Sequence, residues 1–326
     1  MDFHLHTAFA ADHLLDPHRQ LVHRAPPVSG VHPLPLPDSA TATAWFKGEH
    51  TTLLATQLAA AALGRHDIVW HIAWTLHTFH RRRGHWRDAL AVWQTALDAA
   101  DHLPDPATGR THRHLGHAYA RLNLHKEAIG HLYRALELAV RDCDPIDQAY
   151  AHEVLAVTWG REGNERQALS HARQSLDLLR TLGRPEWEAY GYNQVARYAA
   201  RLGDFDTARE HCSAALTLSR HHHNPDSEAL TLDTLGFIAH RTGDQEQALD
   251  HYRQALTLYR TLGHTFDIAD TFDRIGHPHA ALGQREQART MWLEALELYK
   301  EQGRDADAER MRRQLDGLAG TRNENF

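Results

Sequence analysis

The sequence has few of the features that mark secreted, disulfide-bonded or membrane proteins. Only two of its 326 residues are cysteines, Cys143 and Cys212, so they form no disulfide framework and suit a reducing compartment. No apolar run approaches the roughly 18 residues that suggest a transmembrane helix. The N-terminus, MDFHLHTAFAADH, has no basic region followed by an apolar block, as a signal peptide would. We therefore predict a cytoplasmic protein without membrane contact.

Lysine is also scarce, with three lysines among 35 basic residues. The net charge is −7 with histidine neutral, which argues against nucleic acid as the main partner. Histidine is abundant by contrast, with 29 residues whose unperturbed pKa is about 6.5. We therefore expect the surface charge, and binding that depends on it, to change between about pH 5.5 and 7.5.

Catalytic and metal-binding motifs are missing from the sequence. It contains no G-x-S-x-G, no HExxH, no CxxC and no G-x-x-x-x-G-K-[ST] loop. Histidines cluster in 112–117, 221–223 and 277–279, but a zinc site needs three or four ligands that converge on one point. We predict a non-enzymatic protein without cofactor or metal, and keep a histidine-rich metal-binding protein as the weakest alternative.

The sequence does contain a period of about 40 residues. One complete unit is Leu235–Gly263, which reads as a helix, a tight turn and a second helix. The residues that close the first helix of successive units are Gly84, Asn123, Gly163, Gly203, Gly243 and Gly283. A fixed period of this length predicts a stacked array of helix pairs.

Small and bulky residues recur at fixed positions in each unit. In the unit above, Gly236 lies beside Leu235 in the first helix, and Ala248 and Ala255 flank Tyr252 in the second. Small residues let two antiparallel helices approach closely, and the bulky residue fills the groove beside them. At the Tyr252 position, the unit before has Cys212, which we predict to be a buried apolar residue.

This pattern resembles the tetratricopeptide repeat over roughly residues 66–300. The resemblance implies an all-α, right-handed superhelix of about six helix hairpins with a 40-residue period. It also implies a concave groove that binds a protein or peptide segment. One departure is Pro278, inside a predicted first helix, where it indicates a kink or an early helix end.

The remaining sequence divides around this array. Five of the twelve prolines lie in residues 24–38, and proline fixes φ and lacks a donor, which predicts an extended connector. Helix resumes after a cap at Asp38, and Thr51–Leu63 reads as a further helix. The predicted segments are 1–23 (helical), 24–37 (connector), 38–65 (N-terminal capping helices), 66–302 (repeat array), 303–320 (C-terminal capping helix) and 321–326 (disordered tail).

A second resemblance covers the N-terminal part. The stretches LHTAFAADHLLDP, AWFKGEHTTLLATQLAAA and HRRRGHW are similar to the C-terminal region of actinobacterial regulators of the Streptomyces antibiotic regulatory protein type and related NB-ARC ATPases. This implies the sensor or partner-binding part of a regulator of secondary metabolism. The ATPase and DNA-binding activities of that family do not carry over, because neither module is visible, so we expect no direct contact with nucleic acid.

Arginines recur near the ends of the first helices. They are Arg82, Arg121, Arg161, Arg201 and Arg241. A column of guanidinium groups predicts binding of a small anionic effector or an acidic partner. The alternative is local, since a cation near a helix C-terminus offsets the macrodipole by about 0.3–1 kcal/mol.

The resemblance to repeat grooves identifies further candidate binding residues. They are Tyr150, Glu153, Tyr190, Asn193, Arg197, Asp233, Phe237, His240 and Asp273. The set mixes aromatic, amide and charged groups, as peptide-binding surfaces do. Two alternatives remain open: a solvated face without a ligand, and a standalone scaffold that forms homo-oligomers.

Overall fold

The computed structural model describes residues 1–20, 22–104 and 106–320. Within these ranges the regular secondary structure is entirely helical, which confirms the all-α prediction. The helices are α1 (Asp2–Leu15), α2 (Ser39–Ala62), α3 (His66–Arg83), α4 (Trp86–Ala100), α5 (Ala107–Arg121), α6 (His125–Arg141), α7 (Pro145–Glu162), α8 (Glu165–Thr181), α9 (Pro185–Arg201), α10 (Phe205–His221), α11 (Pro225–Arg241), α12 (Gln245–Leu262), α13 (Thr265–Ala281), α14 (Arg285–Glu301) and α15 (Asp305–Gly320).

Helices α3 to α14 form consecutive pairs, in which an odd-numbered first helix packs against the even-numbered second helix that follows. Each pair then packs against the next one, as in a tetratricopeptide solenoid. The helices form two compact units. The first comprises residues 1–81 and 85–187, and the second comprises residues 82–84 and those from 188 onward.

Polar side chains cap the helices where the sequence predicts them. Asp38 accepts a hydrogen bond from the Thr41 backbone N–H at 2.8 Å, and the Thr41 hydroxyl bonds back to complete a capping box. Asp144 caps α7, and Asn224 caps α11. Each cap satisfies a backbone donor that the helix leaves free.

Two helices differ from the sequence-based expectation. The predicted separate helices on either side of Gly48 are one helix, α2, because the exposed glycine is tolerated while Phe46 and Leu53 are fully buried in the core. Helix α13 continues through Pro278 to Ala281, so an early end is wrong. The carbonyl of Pro278 accepts the closing bond from Leu282 N–H.

The array ends on α15, which packs against α14. Ala308 and Met311 are buried as predicted, and Leu315 and Leu318 pack against the same core. Ala306, which we placed on the inner side, is exposed instead, because it lies off the stripe that these four residues form. The predicted disordered tail, 321–326, lies outside the described residues.

Cys212 is fully buried, as predicted, and burial raises the pKa of its thiol to about 12. Across the part of the chain that the structure describes, no helix combines the length and apolarity needed to cross a membrane.

Candidate functional site

The first unit holds a short stretch of its own chain against its first helices. We call residues 16–24 the N-terminal arm, leaving residue 21 outside the description. The arm follows α1 and contains neither helix nor strand. The side chains of the first helices and of Trp187 that lie around it form what we call the first-helix face: His71, Trp74, Arg110, Arg113, Tyr150 and Trp187.

Arg19 is the arm residue with the most contacts. Its guanidinium lies 4.1 Å from the centroid of the Trp74 ring and donates to the Trp74 carbonyl at 2.8 Å. It also donates to the Asp12 carboxylate at 2.6 Å. Asp12 belongs to α1 and is only 5% exposed. The result is a cation held between an aromatic ring, a backbone acceptor and a buried anion.

The arm is also recognised through its backbone. Trp187 Nε1 donates to the carbonyl of His18 at 2.8 Å, and His71 Nε2 donates to the carbonyl of His23 at 3.0 Å. Both donors are side chains, and both acceptors are peptide groups of an extended segment. Such bonds do not depend on the side chains of the bound segment, so they suit other sequences in the same conformation.

A buried ion-pair network supports the face from behind. Asp147 accepts from Arg110 at 2.7 Å and lies 3.6 Å from Arg113. Burial raises the pKa of Asp147, while both arginines act in the opposite direction. The Arg113 guanidinium lies 4.8 Å from the centroid of the Tyr150 ring, and Tyr150 lies against Trp187. The aromatic and cationic groups are thereby held in fixed positions.

Neutral imidazoles fill the space beneath the face. His114 stacks on Trp93 with ring centroids 4.3 Å apart, and His77 lies 4.2 Å from His114. Burial lowers the pKa of both histidines well below the usual value, and Arg19 lowers it further. These rings are therefore uncharged at neutral pH and act as packing groups.

Four residues of the first-helix face were not among our sequence-based candidates. Stepping back 40 residues from Tyr150 and Glu153 gives Arg110 and Arg113, and a further 39 residues gives His71 and Trp74. The repeat period was the signal that could have found them. The one-residue shift at the first spacing, and our choice to begin the set at the third pair, hid them.

The predicted arginine column divides between the units. In the first unit, the Arg121 guanidinium lies 5.0 Å from the Trp86 ring centroid, and Arg161 donates to Asn123 at 3.1 Å. In the second unit, Arg82 is buried and donates to Asp226 at 3.0 Å. Arg201 and Arg241 are exposed, and Arg241 lies against the Phe237 ring.

Two of these arginines act on one imidazole. The pKa of His117 is lowered chiefly by burial, and then by Arg121, Arg81, Arg113 and Arg161. The first unit therefore has a positive region around His117, to which Arg121 and Arg161 both contribute.

The predicted groove residues of the second unit lie along α9, α11 and α13. Asn193 is 2% exposed, and its amide oxygen has no hydrogen-bond partner within the described chain. The Tyr190 hydroxyl accepts from Gln194 at 2.8 Å, and His240 shares a hydrogen bond with Gln245 at 2.7 Å. Arg197 and Phe237 are half-buried.

The two predicted acidic residues of that unit are ion-paired within the chain. Arg274 donates both to Asp233 Oδ1 at 2.7 Å and to Oδ2 at 2.6 Å. Asp273 accepts from Arg310 at 2.6 Å, and the hydrogen bonds and charges of His277 and Arg310 lower its pKa despite its burial. In the first unit, Glu153 and Tyr150 are half-buried on α7.

The histidine clusters of the sequence do not converge. His112 turns away from His114 and pairs with His131, with the two Nδ1 atoms 2.8 Å apart. His152 and His171 form an equivalent pair 40 residues later, at 2.9 Å. One ring donates and the other accepts in each pair. Among the described residues, no group of three or more potential ligands is arranged to hold a metal ion.

The consecutive helix pairs and the bound arm define a helical-repeat protein with a segment-binding face. A tetratricopeptide repeat family model matches residues 71–139 and 187–261. The chain therefore carries tetratricopeptide repeats in these two stretches. No curated protein sequence matches the chain.

Several solved structures are similar in fold. A Rap protein complexed with Competence and Sporulation Factor aligns with a TM-score of 0.58 at 12% identity, over 78% of this chain and 76% of that one. BtubC from P. vanneervenii aligns with a TM-score of 0.51 at 20% identity, over 67% of this chain and 92% of that one. A signal transduction ATPase (STAND protein) with a tetratricopeptide repeat sensor, from Pyrococcus horikoshii, gives 0.52 at 16%, over 78% of this chain and 39% of that one. At these identities the likeness concerns the fold alone.

Proposed function

We propose that this chain is a non-catalytic interaction module whose first helices bind an extended segment of a protein or peptide. The observation that carries the proposal is the N-terminal arm. It lies on the first-helix face as an extended segment, with its carbonyls bonded to Trp187 and His71 and its arginine inserted beside Trp74. The face therefore has the chemistry that a bound segment requires.

The second unit offers a matching feature. The buried amide oxygen of Asn193 has no partner, and a buried acceptor left unpaired costs roughly 1–3 kcal/mol. A backbone N–H of a bound segment would satisfy it. Asparagine can pair with the N–H and C=O of one peptide group at once, which makes it suited to sequence-independent recognition.

The cellular role that we favour is the sensor or partner-binding part of a bacterial transcriptional regulator of secondary metabolism. Two findings support it: the sequence resemblance described above, and the similar fold of a STAND protein whose repeats are described as a sensor. The similar Rap protein was solved with a bound factor, which is consistent with effector binding on this kind of scaffold.

Peptide selection from a random library against the full chain tests the binding function. Selected peptides should protect backbone amides of α3, α5, α7 and α9 from hydrogen exchange, and binding should weaken in Trp187→Phe, which keeps a ring but loses the N–H donor. Trp292→Phe is the matched control, because Trp292 is a buried tryptophan of the second unit. Peptides that protect only the second helices would contradict the proposal.

A second candidate is an anionic ligand, favoured by the positive region around His117. Replacing Arg161, Arg201 and Arg241 by alanine together should weaken binding of an acidic peptide at least tenfold, because each lost charge-assisted contact contributes about 1.5–3 kcal/mol. Unchanged affinity in a folded variant, measured by calorimetry, would exclude this candidate.

A further inference from the structure

The contacts of Arg19 identify the class of segment that the first-helix face takes. This inference rests on the proposed function and narrows it. We propose that Asp12 and Trp74 form a guanidinium site for an arginine of an external protein segment, and that Arg19 of the N-terminal arm fills this site within the chain.

The site is built before any arginine enters it. Asp12 comes from α1, whose Leu5, Phe9 and Leu15 are buried in the core of the first unit. Trp74 comes from α3 and stacks on Trp70, with ring centroids 5.2 Å apart. Neither residue belongs to the arm, so both keep their positions when the arm leaves.

The geometry fits a guanidinium better than an ammonium ion. A planar guanidinium can stack on an indole ring and donate sideways to two acceptors at once, here the Asp12 carboxylate and the Trp74 carbonyl. A lysine ammonium could reach one acceptor, but it has no flat surface to lay on the ring. The pocket therefore selects arginine.

The buried carboxylate makes a cation necessary. Asp12 is 5% exposed, and a buried carboxylate without a partner is strongly disfavoured. Arg19 is the cation that faces it, at 2.6 Å. When the arm dissociates, another cation of the same shape has to replace Arg19.

The rest of the arm is held more loosely than its arginine. The arm has no helix or strand, and Pro17, His23 and Arg24 are exposed. A tethered segment of this kind competes at an effective concentration in the millimolar range. An external arginine-bearing segment therefore binds the wild-type chain weakly, and binds tightly once the arm's arginine is removed.

The test uses the full chain with Arg19→Ala. Ethylguanidinium, followed by calorimetry and tryptophan fluorescence, should bind this variant at least about tenfold more tightly than ethylammonium, because only the former stacks and donates twice. A synthetic peptide of residues 13–24 should bind the variant at least about tenfold more tightly than the same peptide with the neutral isostere citrulline in place of its first arginine. Adding Asp12→Asn to Arg19→Ala should remove both preferences. Wild-type protein should show neither, because its own arm fills the site.

If Arg19→Ala alone does not fold, its thermal unfolding with each cation gives an equivalent readout, since only ethylguanidinium should restore the transition. Equal effects of the two cations, or equal binding of the arginine and citrulline peptides, would overturn the inference. The broader function would still stand if library-selected peptides protected the first-helix face, and it would fall with the inference if they did not.

Discussion

Single residues with left-handed backbone conformation set where each helix ends. The positions predicted from the sequence all have positive φ, from 61° at Asn123 to 92° at Gly243. A second series, between one pair and the next, includes Gly183, Gly263 and Gly303, but two of its members are not glycine. Cys143 and His223 both have φ of 52°. The absence of glycine there is why the sequence concealed this series.

Replacing His223 by glycine should raise the free energy of unfolding by about 0.5–1 kcal/mol. A β-carbon costs roughly 1–2 kcal/mol in the left-handed region, and glycine returns part of that gain through its more flexible unfolded state. His223 is exposed, so little packing is lost. Urea unfolding measures the change, and Cys143→Gly should behave alike.

Gly183→Ala is the matched reverse substitution at an equivalent position and should destabilise by about 1 kcal/mol. If His223→Gly lowered stability, the left-handed conformation would not be what limits that position.

At the scale of the helix pair, the size of one residue in the first helix matches the size of its partner in the second. A β-carbon on Gly236 would come within 2.7 Å of the Tyr252 ring, and one on Gly116 within 2.5 Å of Leu132. Where the partner is small, as Cys212 is, the first helix has an alanine, Ala196. The repeat thus conserves the combined volume of the pair rather than either residue.

Gly236→Ala should therefore destabilise by at least about 1–3 kcal/mol, because the new methyl group overpacks against Tyr252. In a Tyr252→Cys background, which copies the Ala196–Cys212 pair of the preceding unit, the same alanine should cost far less. The double-mutant cycle should give a coupling of about 1–3 kcal/mol.

Gly130→Ala provides the control, since Gly130 lies in the middle of α6 with no atom within 4 Å of a new β-carbon. It should stabilise slightly, by about 0.5–1 kcal/mol, through helix propensity. Additive effects of Gly236→Ala and Tyr252→Cys would contradict the volume rule.

At the same scale, the helix pairs could be predicted because period, capping residues and small residues agree with one another. The caps at Asp38, Asp144 and Asn224 are examples. The docking of the arm could not be predicted, because residues 16–24 have no periodicity and their contacts reach Trp187, more than 160 residues away. Local pattern carries no information about such a contact.

At the scale of the whole molecule, the titratable histidines are unevenly distributed between the units. Burial lowers the pKa of many histidines in the first unit and of one, His251, in the second. Those in the first unit are His6, His50, His71, His77, His80, His112, His114, His117, His131, His152 and His171. The pKa falls to about 4 for His112 and for His152.

This distribution gives the two units different responses to acid. A histidine whose pKa is lower in the folded state binds fewer protons there than when unfolded, so its stabilising effect is complete above about pH 6.5 and is lost as the pH falls towards 4. Burial raises the pKa of Asp12 and Asp147, which acts in the opposite direction, but two carboxyl groups are outnumbered by the histidines.

We therefore expect the first unit to lose stability before the second as the pH is lowered from 7.5 to 5. Each buried histidine contributes a slope of at most about 1.4 kcal/mol per pH unit, so the sum exceeds what the single histidine of the second unit can produce. Hydrogen exchange, corrected for intrinsic rates at each pH, should show amides of α3 to α8 losing protection while those of α11 to α14 keep it. Replacing the pair His152 and His171 by glutamine, which cannot be protonated, should shift the loss in the first unit to lower pH. Equal loss of protection in both units would mean that these imidazoles titrate in the folded state much as they do in water, and that burial does not hold them neutral.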